Sequence, residues 1–108
     1  MAHLRTQDAL GEAPVALFTE LTSLHTLILQ NPSATDVVYF KIYVQDDSPT
    51  MATDVPTFEI PVPAAGVYPH PLLNAVIPKC WMAATASSGA DDTAPDADLH
   101  VTLTYNRL

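Results

Sequence analysis

From Asp36 onward the side chains of this chain alternate without a break. Val38, Phe40, Ile42 and Val44 fall on one side, and Val37, Tyr39, Lys41 and Tyr43 on the other. Neighbouring residues of a strand point to opposite faces, so the first set predicts a core face and the second an amphipathic outer one. Just upstream, Leu24–Leu29 carries apolar residues on both sides, which predicts an interior strand or one whose second surface is covered. The two runs are joined by Gln30–Thr35, QNPSAT, whose Asn, Ser and Pro favour a turn. Ser23–Val44 therefore predicts a strand pair to which the later segments add further sheet.

Period-two runs recur downstream. Thr57–Val62 places Phe58, Ile60 and Val62 on one side, and Pro56, Pro61 and Pro63 around it predict a sheet edge, because proline cannot donate to a ladder. Leu72–Ile77 and Lys79–Ala86 are apolar runs separated by Pro78, the second setting Cys80, Met82 and Ala84 opposite Trp81, Ala83 and Thr85. The last run puts Leu99, Val101, Leu103 and Tyr105 inward and His100, Thr102 and Thr104 outward. Val15–Leu21 is too short for its period to decide between a strand and a turn or two of helix. Gln45–Val55, Ala64–Pro71 and Ser87–Asp98 read as loops, and residues 1–14 as an N-terminal arm, frayed or lying on a neighbouring subunit.

Six to eight short strands with Pro-rich or polar turns predict an all-β, single-domain antiparallel β-sandwich over residues 15–108. Its long connections suit strands that pass between sheets, the jelly-roll arrangement. Composition agrees with this. The 108 residues fit one core, and ten prolines against three glycines favour stiff connections over helices.

Charge narrows the partners. Twelve acidic against four basic residues give −8, which disfavours direct contact with nucleic acid or anionic membrane. One cysteine, Cys80, forbids an internal disulfide, and on an apolar strand it reads as a small buried hydrophobe. No apolar run approaches a membrane span and the first residues lack a secretory pattern, so production in a cytoplasm is expected.

Chemistry is sparse. His3, His25, His70 and His100 show no metal-ligand spacing. Asp91, Asp92, Asp96 and Asp98 lack the pattern of a calcium loop and read as a solvated acidic hairpin, as do Asp46, Asp47 and Asp54. Three scattered glycines build no phosphate loop. No catalytic residue, metal or cofactor is expected, and the chain does not read as an enzyme. The candidate contacts are Leu4 and Leu10 of the arm, with Tyr39, Lys41 and Tyr43 on the outer strand face, since tyrosine offers apolar area with a polar tip.

The run Gln30–Gly66, QNPSATDVVYFKIYVQDDSPTMATDVPTFEIPVPAAG, resembles a motif of small virion proteins of tailed bacteriophages. The shared features are the QNPS turn, a strand of the form (V/Y)-Y-x-K-(I/L)-Y, a PT…T..P loop and an edge strand closing on P-x-P-A-x-G. The Ala-rich strand Cys80–Ala86, the acidic loop Ser87–Asp98 and the strand Val101–Tyr105 also match, so the likeness spans about three quarters of the chain. AAG stands here where AGG is more usual, and VYPHPLLNAVIP is richer in proline than the common pattern.

The resemblance implies a capsid decoration or cement protein on the outside of the virion. Its partner would be the major capsid protein or another virion protein. A homo-oligomer is implied, a trimer suiting threefold shell sites. The alternatives are a tail, fibre or head–tail component, or a carbohydrate-binding module. The resemblance carries over no catalytic or metal-binding residue.

Overall fold

The computed structural model describes residues 2–108, Leu73 and Asn74 by their backbone alone. Among these residues run eight strands: β1 (His3–Leu10), β2 (Val15–Phe18), β3 (Thr22–Asn31), β4 (Val38–Tyr43), β5 (Phe58–Val62), β6 (Gly66–Ile77), β7 (Cys80–Thr85) and β8 (Leu99–Arg107). They form two four-stranded sheets, ordered β1-β8-β3-β6 and β2-β7-β4-β5, and every pairing is antiparallel.

The pairings β1 with β8, β2 with β7, β3 with β6 and β4 with β5 describe one long hairpin, bent at the β4–β5 connection and rolled up. Each other connection crosses from one sheet to the other. The two sheets joined by such crossings are the jelly-roll form of the β-sandwich. β3 and β4 accordingly sit in different sheets, which corrects the expectation of a paired organising unit. Their linker arches over the gap between sheets instead of closing a hairpin.

The core fills the gap between the sheets. Val38, Phe40 and Ile42 of β4 meet Leu24, Leu27 and Leu29 of β3, with Cys80, Met82 and Ala84 of β7 and Leu99, Val101 and Leu103 of β8. Ala84 lies opposite Phe40 in the ladder, and its small side chain leaves room for the ring. Each large apolar side chain so buried stabilises the fold by roughly 1.5–3 kcal/mol.

Three local features depart from simple alternation. β3 advances two residues, Leu24 to Thr26, where β8 advances one, so His25 is an extra residue in a bulge. The bulge turns Leu24, Leu27 and Leu29 all inward and leaves Thr26 and Ile28 outward, accounting for the two-sided apolar pattern of this strand. β6 begins at Gly66, earlier than the proline pattern suggests: Pro69 and Pro71 are strand residues. They are tolerated because β6 is a sheet edge, where a missing N–H costs no ladder bond. Residues 3–10, expected as an arm, run as β1 along β8, with Leu10 buried in the core.

Candidate interaction surfaces

The outer face of the β2-β7-β4-β5 sheet holds Tyr39, Lys41 and Tyr43. Lys41 and Tyr43 are 0% exposed, because two loops fold over them. Residues 44–57 bring Met51 onto Tyr43, Ala83 and Trp81, forming a second small apolar cluster outside the main core. The indole N–H of Trp81 donates to the Asp46 carbonyl at 3.4 Å. Residues 86–98 supply the other cover. The Lys41 ammonium donates to the carbonyls of Ser87 (2.8 Å) and Gly89 (2.6 Å) and lies 3.9 Å from the Glu59 carboxylate.

Glu59 completes that clamp by accepting from the Ser88 hydroxyl (2.6 Å) and the Gly89 amide (2.8 Å). Gly89 has φ 76°, a left-handed turn that glycine adopts without strain. Within the same loop the Asp91 carboxylate accepts from the Ser87 amide and the Thr93 hydroxyl. Burial alone would raise Asp91, but the hydrogen bonds from Thr93 and Ser87 and the Lys41 charge outweigh it and hold it below the ordinary carboxylate value. Burial pushes Lys41 below the usual lysine value, against the pull of Glu59 and Asp91. Tyr43 is pushed up to about 12 by burial and by the charges of Glu59, Asp54 and Asp91, and its hydroxyl meets no protein partner among the described residues.

The QNPS turn is a joint between three connections. The Asn31 amide donates to the Asp36 and Val62 carbonyls, both at 2.9 Å, and its oxygen accepts from the Ser33 amide. The Ser33 hydroxyl donates to Asp96 at 2.6 Å, and the Ser33 carbonyl accepts from the Ala65 amide at 2.8 Å. Asn31 and Ser33 are both buried, so the turn that links the sheets also ties down the acidic loop and the β5–β6 connection. At that connection Ala65 has φ 55°, a left-handed conformation that disfavours any residue with a Cβ. It occupies the position where the resembled pattern carries its extra glycine.

A different polar clip closes one side of the sandwich. Arg5 of β1 reaches across to β2, donating to the carbonyls of Leu17 (2.6 Å) and Ala16 (3.0 Å). The opposite side, between β5 and β6, is an apolar cleft of about 270 Å3 floored by Leu24, Leu27 and Ile42, with Phe58 and Val76 at its mouth. Cys80 lies in the core, its thiol pushed up to about 11 by burial. Among the described residues no group of three or more His, Cys, Asp or Glu side chains converges as a metal site would require.

The outer face of the β1-β8-β3-β6 sheet is bare by contrast. Its ladder rows read Leu4, Thr104, Thr26, Pro71 and then Thr6, Thr102, Ile28, Pro69, with Val67, Gln30 and His100 beyond. None of these is acidic, and Leu4 is 70% exposed. Of the five predicted contacts, then, Lys41, Tyr43 and Leu10 are internal, Tyr39 is half-buried, and Leu4 lies on the open face. The open face itself escaped sequence reasoning, although its signal was present in the Thr102/Thr104 alternation of the last strand. No family model matches the chain, and no curated protein or solved structure matches it.

Proposed function

We propose that the chain is a structural protein of a tailed-phage virion, a decoration or cement protein that binds the outer capsid shell as a homo-oligomer and stabilises it without catalysing a reaction. The observation that carries this reading is where the resembled motif falls. Its Asn31, Ser33, Lys41, Glu59 and Ala65 are the joints that fasten loops to a jelly roll. A motif made of joints preserves a rigid shape, and a rigid shape is what adhesion to a shell requires.

Two further features support it. The polar groups best placed for chemistry, Lys41 with Glu59 and Arg5, are spent on backbone carbonyls, amides and each other. The acidic groups stand mostly in loops, Asp8 of β1 apart, so the rows Leu4–Thr104–Thr26 and Thr6–Thr102–Ile28 present area without charge. No helix among the described residues is long and apolar enough to cross a membrane.

On this reading the contact surface is the open face, around Thr26, Ile28, Val67 and Thr102, in preference to Tyr39, Lys41 and Tyr43, of which Lys41 and Tyr43 are buried. Co-sedimentation of the purified protein with mature shells of its phage tests this. Saturable binding that Ile28→Glu abolishes while the variant stays folded is the expected result. Failure to bind shells at any concentration, or turnover of a substrate by the purified protein, would overturn it.

A further inference from the structure

The two sheets do not end together. β2 stops at Phe18, paired with Cys80, while on the facing sheet β8 runs on to Arg107 beside Thr22. The inner side of that sheet is left without a covering strand at this end, and the connection from β2 to β3 crosses over it. There the chain forms a pocket of about 200 Å3 whose walls include Arg5, Phe18, Glu20, Thr22, Tyr105 and Arg107.

Positive charge gathers in this pocket. The chain has four lysines and arginines against twelve acidic residues, and two of the four, Arg5 and Arg107, line its walls. Arg5 is fixed by the Leu17 and Ala16 carbonyls at 2.6 and 3.0 Å, and because both partners are neutral the guanidinium keeps its net charge. Arg107 meets Glu20 at 3.6 Å, with the two side chains 64% and 59% exposed. An exposed pair of this kind is worth little and exchanges readily. Glu20 is the one carboxylate among the lining residues, so two guanidinium groups leave the pocket with a single net positive charge, in a chain of −8. Tyr105, stacked on His3 at 5.2 Å and tilted against Phe18 at 5.3 Å, supplies a fixed aromatic wall.

We propose that this pocket binds a small organic monocarboxylate. Arg107 exchanges Glu20 for the ligand's carboxylate, which a guanidinium receives on two parallel N–H donors. Arg5 holds a second positive charge in the wall, and the Phe18 and Tyr105 rings take the apolar body of the acid. Charge selects a monoanion: one net positive charge matches one carboxylate, whereas a dianion stays half-neutralised in a chain that already repels it. The aromatic wall selects an organic body over an inorganic ion. Size sets the affinity. About 200 Å3 is less than the roughly 300–1,000 Å3 of sites for larger ligands, so binding is weak, on the order of 1 mM. The pocket lies on the inner side of the sheet whose outer side is the open face, so its occupancy is independent of binding to a shell.

Titration of benzoate into the isotopically labelled protein at neutral pH and constant ionic strength, followed by amide chemical shifts, tests this. Saturable shifts at residues 16–22 and 105–107 are expected, and benzamide, the neutral analogue of the same shape, is expected to give none. Arg107→Gln, at an exposed position, is expected to stay folded and to weaken binding about three- to tenfold. Glu20→Gln is expected to tighten it, because the competing carboxylate is gone. The absence of any saturable shift at benzoate concentrations well above millimolar would overturn the proposal. So would unchanged affinity in Arg107→Gln, or inorganic phosphate binding as tightly as benzoate, which would mean that the pocket does not select a carboxylate.

Discussion

The two outer faces of this sandwich begin from the same sequence rule and end as opposites. On β4, alternation puts Tyr39, Lys41 and Tyr43 outward; on β8 it puts His100, Thr102 and Thr104 outward. The first set is then roofed by residues 44–57 and 86–98, whereas the second stays open. Alternation decides which sheet face a side chain occupies. Whether that face meets water is decided by loops that return from elsewhere in the chain. A lysine and a tyrosine on an outward face are thus poor markers of a contact surface when long polar connections stand beside them.

The contrast can be broken most sharply at Lys41. Lys41→Ala is expected to lose about 3 kcal/mol or more in chemical denaturation, since it leaves Glu59 and two loop carbonyls without their buried partner. Thr102→Ala on the open face is expected to change stability by less than about 0.5 kcal/mol. Comparable losses at the two sites would mean that the roof does not exist.

Alkaline titration probes the same burial. Cys80 and Tyr43 have folded pKa values raised to about 11 and about 12. The unfolded chain therefore gives up these protons first, and stability falls from about pH 9 to 12 as both groups are drawn towards ionisation. Lys41 acts the other way, its lowered value adding stability as pH rises towards the ordinary lysine range. Tyr43→Phe is expected to flatten the fall above pH 10, and at neutral pH to be neutral or slightly stabilising, because it removes a buried hydroxyl that has no protein partner among the described residues. Denaturation midpoints measured from pH 8 to 12 check both.

How far these features were legible in the sequence depends on how local their causes are. The core faces of β4, β7 and β8 follow from period two alone, and Phe40, Met82 and Val101 are buried as that pattern requires. The edge position of β5 follows from its prolines. The inward turn of both Leu24 and Leu27 depends on a single extra residue at His25, which no period reveals. Prolines also misled: Pro69 and Pro71 mark an edge strand as well as a loop, and only pairing with β3 distinguishes them. The strand β1 was hidden because its pattern runs against burial: Arg5 and Gln7 point inward while Leu4 points outward. Arg5 points inward, yet its charge is absorbed by β2 carbonyls that lie beyond any local window.

The joints between the sheets give a smaller effect. Ala65→Gly is expected to stabilise the fold by about 0.5–1 kcal/mol, since the left-handed backbone at this position penalises a Cβ by more than glycine's added freedom costs. A loss of stability would mean that the β5–β6 connection does not hold that conformation. Smallest of all is Ile28→Thr on the open face, expected within about 0.5 kcal/mol of the parent.

The roofing of one face against the bareness of the other is tested most directly by amine acylation of the folded protein, followed by mass spectrometry of its peptides. The chain has two lysines, Lys41 beneath the loops and Lys79 exposed before β7. Lys79 is expected to be modified rapidly while Lys41 stays intact until the chain is unfolded. Modification of both at similar rates under native conditions would contradict the account.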